Sequence, residues 1–229
     1  KWLDADAVVK VFIQDASHTP FEDEVRVWQQ LRHPNVLKIY GACNAGPHLL
    51  FFVCEYASQG SLLEHVKSSA EEKPTMWKYL YEAALGLEYL HERGIVHGDL
   101  RCSSILIGSD GMAKLSNFGL SGLIKRPSAA SGNVVGFMRW QAQEVMEGVP
   151  PSFESDVYSL GMCILEAVTK EMPWGSKSTD LPALACCHAM HGTLPTRPKC
   201  SGSQWKLVEG MCKLDPKQRL KISTVVDEL

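Results

Sequence analysis

The stretch IVHGDLRCSSILIGSDGMAKLSNFGLSG, residues 95 to 122, gathers polar groups between apolar runs. Asp99 brings a carboxylate, and Arg101 a permanent cation. Ser104 and Asn117 stand on either side of an expected hairpin. They offer a hydroxyl and an amide oxygen, neither carrying the full negative charge that a hard cation prefers. Far upstream, Lys10 sits in the β-branched run AVVKVFI and Glu24 in the helical pattern that follows. A lysine on a half-buried strand needs an anionic partner, because an unpaired buried charge is costly. Glu24 is the candidate partner; the alternative is a surface lysine on an edge strand. Together these residues pose one question: whether the set still holds an anionic ligand and its cations, or keeps only the shape of such a site.

The elements that must carry them read as follows. AVVKVFI (7 to 13) is strand-like. PFEDEVRVWQQLRH (20 to 33) has a helical period in Val25, Trp28 and Leu31, with Pro20 suited to a first helical position and Glu22, Asp23 and Glu24 to a first turn. VLKIYGAC and LLFFVCEYA read as two strands around the turn NAGP. Gly60 breaks the chain, and Ser61 with Glu64 caps a short helix SLLEHV. TMWKYLYEAALGLEYLHERG (75 to 94) is a long amphipathic helix ending at Gly94. ILIG and AKLSN flank the turn SDGM. Residues 121 to 139 read as a mobile Gly/Ser-rich loop. Helices follow at 155 to 169, 180 to 191 and 203 to 213, with KISTVVDEL as the start of another. A strand-rich front and a helical back predict an α+β, two-lobed molecule, residues 1–56 and 57–229, with a cleft between.

Composition narrows the function classes. Apolar residues make up 45% of the 229, enough for a core, and the net charge of -3 is spread along the chain. No basic block suggests nucleic acid. The longest apolar run falls far short of the ~20 residues that span a bilayer, and no basic-then-apolar signal opens the chain. The start, KWLDADAVVK, resembles a cut into a domain, so a parent protein could carry more. The eight cysteines include no C-x-x-C pair and several lie in apolar runs, which points to a reducing compartment. Cys186 and Cys187 beside His188 and His191 form a metal-like cluster, read more simply as one wall of a surface helix.

Lys10 in VVKVF, Glu24, LRHPNVLKIYG, HGD, NFG, RWQAQE, SDVYSLG and DPKQRL, in this order, make the whole chain resemble the protein kinase fold. WLDADAVVKVF and the 97 to 121 region look most like the tyrosine-kinase-like group, most of whose members are Ser/Thr kinases. The resemblance implies a partial small lobe (1–56, from the end of its second strand), a large lobe (57–229), a catalytic-like loop at 97–104 and an activation-like segment at 117–144. It puts Lys10, paired with Glu24, on the α and β phosphates of ATP. Asp99 takes the place of the residue that orients the acceptor hydroxyl, unless it is only a retained loop anchor. Arg101 stands where a cation meets the γ phosphate. At the adenine end it puts Val8 in the roof, Cys54 at the gatekeeper position, Glu55, Tyr56 and Ala57 in the hinge and Leu106 under the ring; plain core and linker is the alternative for these. Glu144 with Arg219, and Asp156 beneath the catalytic-like loop, match structural anchors, and Trp28, His97 and Phe118 a packed column.

Departures from the pattern bear on the metals. Asn117 replaces the metal-binding Asp, and Ser104 the second metal-binding Asn, so the resemblance implies weak or absent Mg2+ or Mn2+ binding. Phe137 stands where a Thr is common, remodelling a peptide platform or merely pointing outward. Gly98 replaces the Arg that receives a phosphorylated loop, leaving a phosphate at Ser128 or Ser131 without its usual partner. The Gly-rich phosphate loop would precede Lys1. The expected function is a pseudokinase, a scaffold or allosteric regulator with weak or no phosphotransfer. The alternative is a slow Ser/Thr kinase. Either implies a protein partner or substrate, no nucleic acid, and a place in the cytoplasm or on the cytoplasmic side of a larger membrane protein.

Overall fold

The computed structural model describes residues 6–13, 21–44, 49–68, 73–118, 138–175 and 191–229, with the backbone alone at 12, 13, 21–24, 44, 49, 50, 73 and 74. The small lobe is a three-stranded antiparallel sheet in the order β1 (Ala7–Ile13), β3 (Leu49–Glu55), β2 (Ile39–Asn44). Strand alternation sends Val9 and Val11 outward, both more than half exposed, and puts Val8 and Lys10 on the opposite face. Register sets Val8 opposite Cys54 and Lys10 opposite Phe52. Helix α1 (Phe21–Gln30) buries Val25 and Trp28 against this sheet, with the Trp28 ring 5.6 Å from that of Phe52. It is shorter than the expected 20 to 33. Pro34 disfavours helical backbone at His33, so the chain has left the helix by Leu31.

In the large lobe, α2 (Leu62–Ser68) opens on the expected reciprocal cap. Ser61 Oγ accepts from Glu64 N at 3.3 Å, and Glu64 Oε2 accepts from Ser61 N at 2.8 Å. Helix α3 (Lys73–Glu92) ends at Gly94, whose φ of 73° is a left-handed turn open to glycine without strain. Midway, Gly86 lets the helix approach the backbone carbonyl of Asn35. The hairpin of β4 (Ile105–Ile107) and β5 (Ala113–Leu115) pairs Ile105 with Leu115. A short α4 (Gln143–Met146) follows.

The most extensively buried helix among the described residues is α5 (Phe153–Thr169), capped by Ser152 and buried at nearly every position from Ser155 to Ala167. That explains its almost unbroken apolar sequence. Helices α6 (Gly202–Met211) and α7 (Ile222–Glu228) complete the lobe. The core runs from Trp28 and Phe52 through α3 to α5 and α6 as one cluster. No helix among the described residues is long and apolar enough to cross a membrane. The expected helix at 180 to 191, apart from His191 in a turn, and most of the loop at 121 to 139 lie outside the described residues, as do Trp2, Leu3, Pro20, Gly119, Ser128, Ser131, Phe137, Cys186, Cys187 and His188.

Candidate active site

A cleft of about 310 Å3 lies between the lobes, lined by Lys10, Cys54 and Asn117 together with Leu37, Ile39, Phe52, Ser116 and Phe118. Of the residues expected to hold a nucleotide, it gathers Lys10 and Cys54. Val8 and Leu106 are half-buried and are not among its lining residues, and Leu106 and Ala57 pack against the core. Leu37, Ile39 and Phe52, which sequence reasoning missed, form its apolar wall; the alternation of β3 was the available signal for Phe52.

Lys10 Nζ donates to Asn117 Oδ1 at 2.7 Å, a bond that crosses from β1 to the segment after β5. Burial pulls the Lys10 ammonium below its ordinary pKa, opposed by Cys54; burial pushes the Cys54 thiol up, opposed by Lys10. The Glu24 side chain, the expected partner of Lys10, lies outside the described residues, although its backbone is helical in α1. Asn117 has φ 65°. Asparagine tolerates this left-handed conformation better than most residues, so the amide sits here without much strain.

The catalytic-like loop is held from beneath. Asp156, at the start of α5, accepts from His97 N at 2.7 Å and Gly98 N at 2.8 Å, and its Oδ2 lies 2.9 Å from His91 Nε2. Trp28, Phe118 and His97 stack edge-on, with centroids 6.4 and 6.5 Å apart, so the expected column above Asp156 is present. His97 is fully buried, and burial lowers its pKa despite the nearby Asp156. Gly98 has φ 75°, where a side chain is strained and glycine is not. Asp99 projects beside Arg101, whose Nη2 donates to its carboxylate at 3.1 Å; both are half-buried.

Ser104 is turned inward. Its hydroxyl donates to Arg101 O at 2.8 Å and accepts from Arg101 N at 3.0 Å, while its carbonyl accepts from Ser116 N and Ser116 Oγ. The side chain is fully buried. Both residues at the expected metal positions are therefore occupied by protein hydrogen bonds: the Asn117 oxygen by an ammonium, the Ser104 hydroxyl by its own loop. Neither supplies a carboxylate, and this donor set does not fit a hard divalent cation.

One further group escaped the sequence reading. Glu166, buried in α5, accepts at Oε2 from Cys102 N at 3.1 Å and from Trp140 Nε1 at 2.9 Å. It ties the catalytic-like loop to the end of the activation-like segment. A lone carboxylate in an apolar helix was the signal for it. Cys102, Cys163 and Glu166 bring ligand atoms within 4.8 Å of one another, but burial raises the pKa of all three, which works against the thiolate and carboxylate forms that ligate a metal. The six described cysteines, Cys43, Cys54, Cys102, Cys163, Cys200 and Cys212, are free thiols. The expected anchor of Glu144 and Arg219 is present: Glu144 receives two hydrogen bonds from the buried Arg219, at 2.6 and 2.9 Å.

The comparisons with known proteins agree with this geometry. A family model described as "Protein kinase domain" matches residues 6–228. The chain belongs to the protein kinase family. Its two lobes are the small β-rich and the large helical lobe of that fold. It is 31% identical to the serine/threonine-protein kinase CTR1 of Arabidopsis thaliana, over 100% of this chain and 29% of that protein. It is also 31% identical to the serine/threonine-protein kinase STY46 of the same plant, over 91% and 36% of the two chains. A third relative, the probable serine/threonine-protein kinase SIS8, is 33% identical over 76% and 18%. The chain thus spans about a third or less of the length of these curated relatives.

Proposed function

We propose that this kinase domain works as a pseudokinase of the tyrosine-kinase-like group, a scaffold or allosteric partner for other proteins with weak or no phosphotransfer. The observation that carries the proposal is the bond from Lys10 Nζ to Asn117 Oδ1. In phosphoryl transfer the protein mainly positions charge, and a metal held by carboxylate and amide oxygens neutralises the phosphates. Here the lysine meets a neutral amide where a carboxylate would share its charge with a metal, and Ser104 closes on Arg101. No reaction step through a metal is derived for this donor set. ATP remains a candidate ligand on the Lys10 ammonium and the backbone of Glu55 to Ala57, bound without metal.

The second reading, a slow Ser/Thr kinase, is favoured by Asp99 and Arg101, which keep their places and their contact. The names of CTR1 and STY46, both serine/threonine-protein kinases, support that substrate class if transfer occurs. The two readings separate in a thermal-shift titration of the domain with ATP, alone and with Mg2+ or Mn2+. The pseudokinase reading expects the same shift, or none, with and without metal. A shift that depends on metal would favour the enzyme.

A further inference from the structure

Arg139 is a buried cation that is not among the residues lining the cleft. It sits in the single 3-10 turn Met138–Trp140. Its Nη1 donates to Pro173 O at 2.7 Å and to Gly175 O at 2.8 Å, so one nitrogen gives both its hydrogens to the turn that follows α5. That turn carries three left-handed positions: Lys170 at φ 59°, Trp174 at 71° and Gly175 at 84°. Glycine adopts the last freely, but a bulky side chain such as that of Trp174 is strained there. The two carbonyls that Arg139 holds flank Trp174. The guanidinium therefore keeps the strained turn in place, and the turn satisfies a charge that is buried against it.

The next residue carries the connection inward. Trp140 is buried, its carbonyl accepts from Ser159 Oγ at 2.7 Å, and its Nε1 donates to Glu166 Oε2 at 2.9 Å. The same carboxylate oxygen accepts from Cys102 N at 3.1 Å. Cys102 follows Arg101, whose guanidinium holds Asp99. An unbroken run of bonds thus leads from the turn through Arg139, Trp140 and Glu166 to the loop that carries Asp99. At its outer end the turn meets solvent: Lys170, Glu171 and Met172 are exposed, while Pro173 is buried.

We infer that Arg139 couples the exposed turn Lys170–Gly175 to the catalytic-like loop, with the strained backbone at Trp174 as the element that can switch. When the clasp opens, Trp174 relaxes out of the left-handed region, Arg139 loses both carbonyls, and Trp140 no longer holds Glu166 against Cys102. Coupling of this kind is reciprocal, so a disturbance at Trp140 reaches the turn as surely as one at the turn reaches the loop. Under the scaffold reading above, this is the route by which a partner protein touching the turn acts on the loop of Asp99. That last step rests on the scaffold reading; the coupling does not.

The test is residue-resolved hydrogen exchange on the wild type, Arg139→Met, Arg139→Lys and Trp140→Phe, with no nucleotide, metal or partner added. Two amides report the ends of the run: Gly175 N, which donates to Met172 O at 2.9 Å, and Cys102 N, which donates to Glu166. In Arg139→Met both exchange about tenfold faster, as expected when buried hydrogen bonds at a local opening are lost. Arg139→Lys, which keeps the charge and part of the bonding, falls between. Trp140→Phe removes one N–H, leaves the Arg139 bonds in place, and keeps the comparison open should Arg139→Met fold poorly; in it the Gly175 amide also exchanges faster. Amides of α7 keep their wild-type rates throughout. An unchanged Cys102 amide in Arg139→Met, an unchanged Gly175 amide in Trp140→Phe, or equal acceleration in α7 overturns the coupling. Phosphotransfer by the wild type would sink the scaffold reading and leave these exchange rates, and the coupling, as they are.

Discussion

At the scale of single residues, two left-handed positions decide much of the site. Gly98 at φ 75° relieves strain that any larger residue would carry, at the cost of the cation that often receives a phosphate. Gly98→Arg should lower stability by about 1 kcal/mol, from the left-handed backbone alone; a chemical denaturation midpoint checks it, and an unchanged midpoint would refute the strain argument. Asn117 faces the same backbone demand with a neutral amide. Asn117→Asp keeps the conformation and puts a carboxylate 2.7 Å from the Lys10 ammonium. The variant should acquire a magnesium-dependent rise in melting temperature with ATP, which the pseudokinase reading does not expect of the wild type. Identity and spacing made both residues legible in sequence. Their partners were not. Lys10 was expected to face Glu24, whose side chain lies outside the described residues, and nothing in a string of letters says that an amide oxygen 107 positions away would meet the lysine.

At the scale of elements, hydrophobic period and caps foretold the helices better than their ends. The Ser61–Glu64 cap and the α5 core helix follow from spacing alone. The end of α1 was legible too, in Pro34, but was overrun by a pattern that continued through Leu31. What the sequence hid was the set of polar groups that join elements: Glu166 inside α5, Asn35 between lobes, Lys114 inside β5. Each has a partner remote in the chain, and Glu166 is one polar residue in an apolar run. Two substitutions test these joints. Gly86→Ala pushes a Cβ into the Asn35 carbonyl, backbone that cannot swing aside, and should cost about 1–3 kcal/mol by overpacking. Glu144→Ala strands the buried guanidinium of Arg219 and should cost about 3 kcal/mol. Equilibrium denaturation reads both, and a loss under half a kcal/mol, on the order of an ordinary surface change, would contradict either assignment.

At the scale of the whole molecule, the fold is retained by groups that do not touch phosphate. The column of Trp28, Phe118 and His97 over Asp156, and the Glu144–Arg219 pair, would serve an active and an inactive kinase alike. Family was therefore legible from motif order, whereas activity was not, because it turns on which oxygens remain free to meet a cation.

The same buried architecture sets a pH dependence. Burial lowers the pKa of both His97 and His33, the latter with help from Arg93. The unfolded chain, with histidines near 6.5, then takes up protons before the folded one. The stability these residues contribute is complete above about pH 6.5 and is lost as pH falls from there through the lower folded values. Urea midpoints should fall between pH 7.5 and 5.5; a flat or rising trend would contradict it.

The central claim is that Asp99 has lost the metal-bound phosphate beside which it would work. The most direct measurement is transfer of labelled γ-phosphate from ATP to protein hydroxyls, with Mg2+ and with Mn2+, by the protein against its Asp99→Asn variant. The account predicts incorporation no greater than in the Asp99→Asn controls under every condition. Incorporation well above those controls, and abolished by Asp99→Asn, would contradict it.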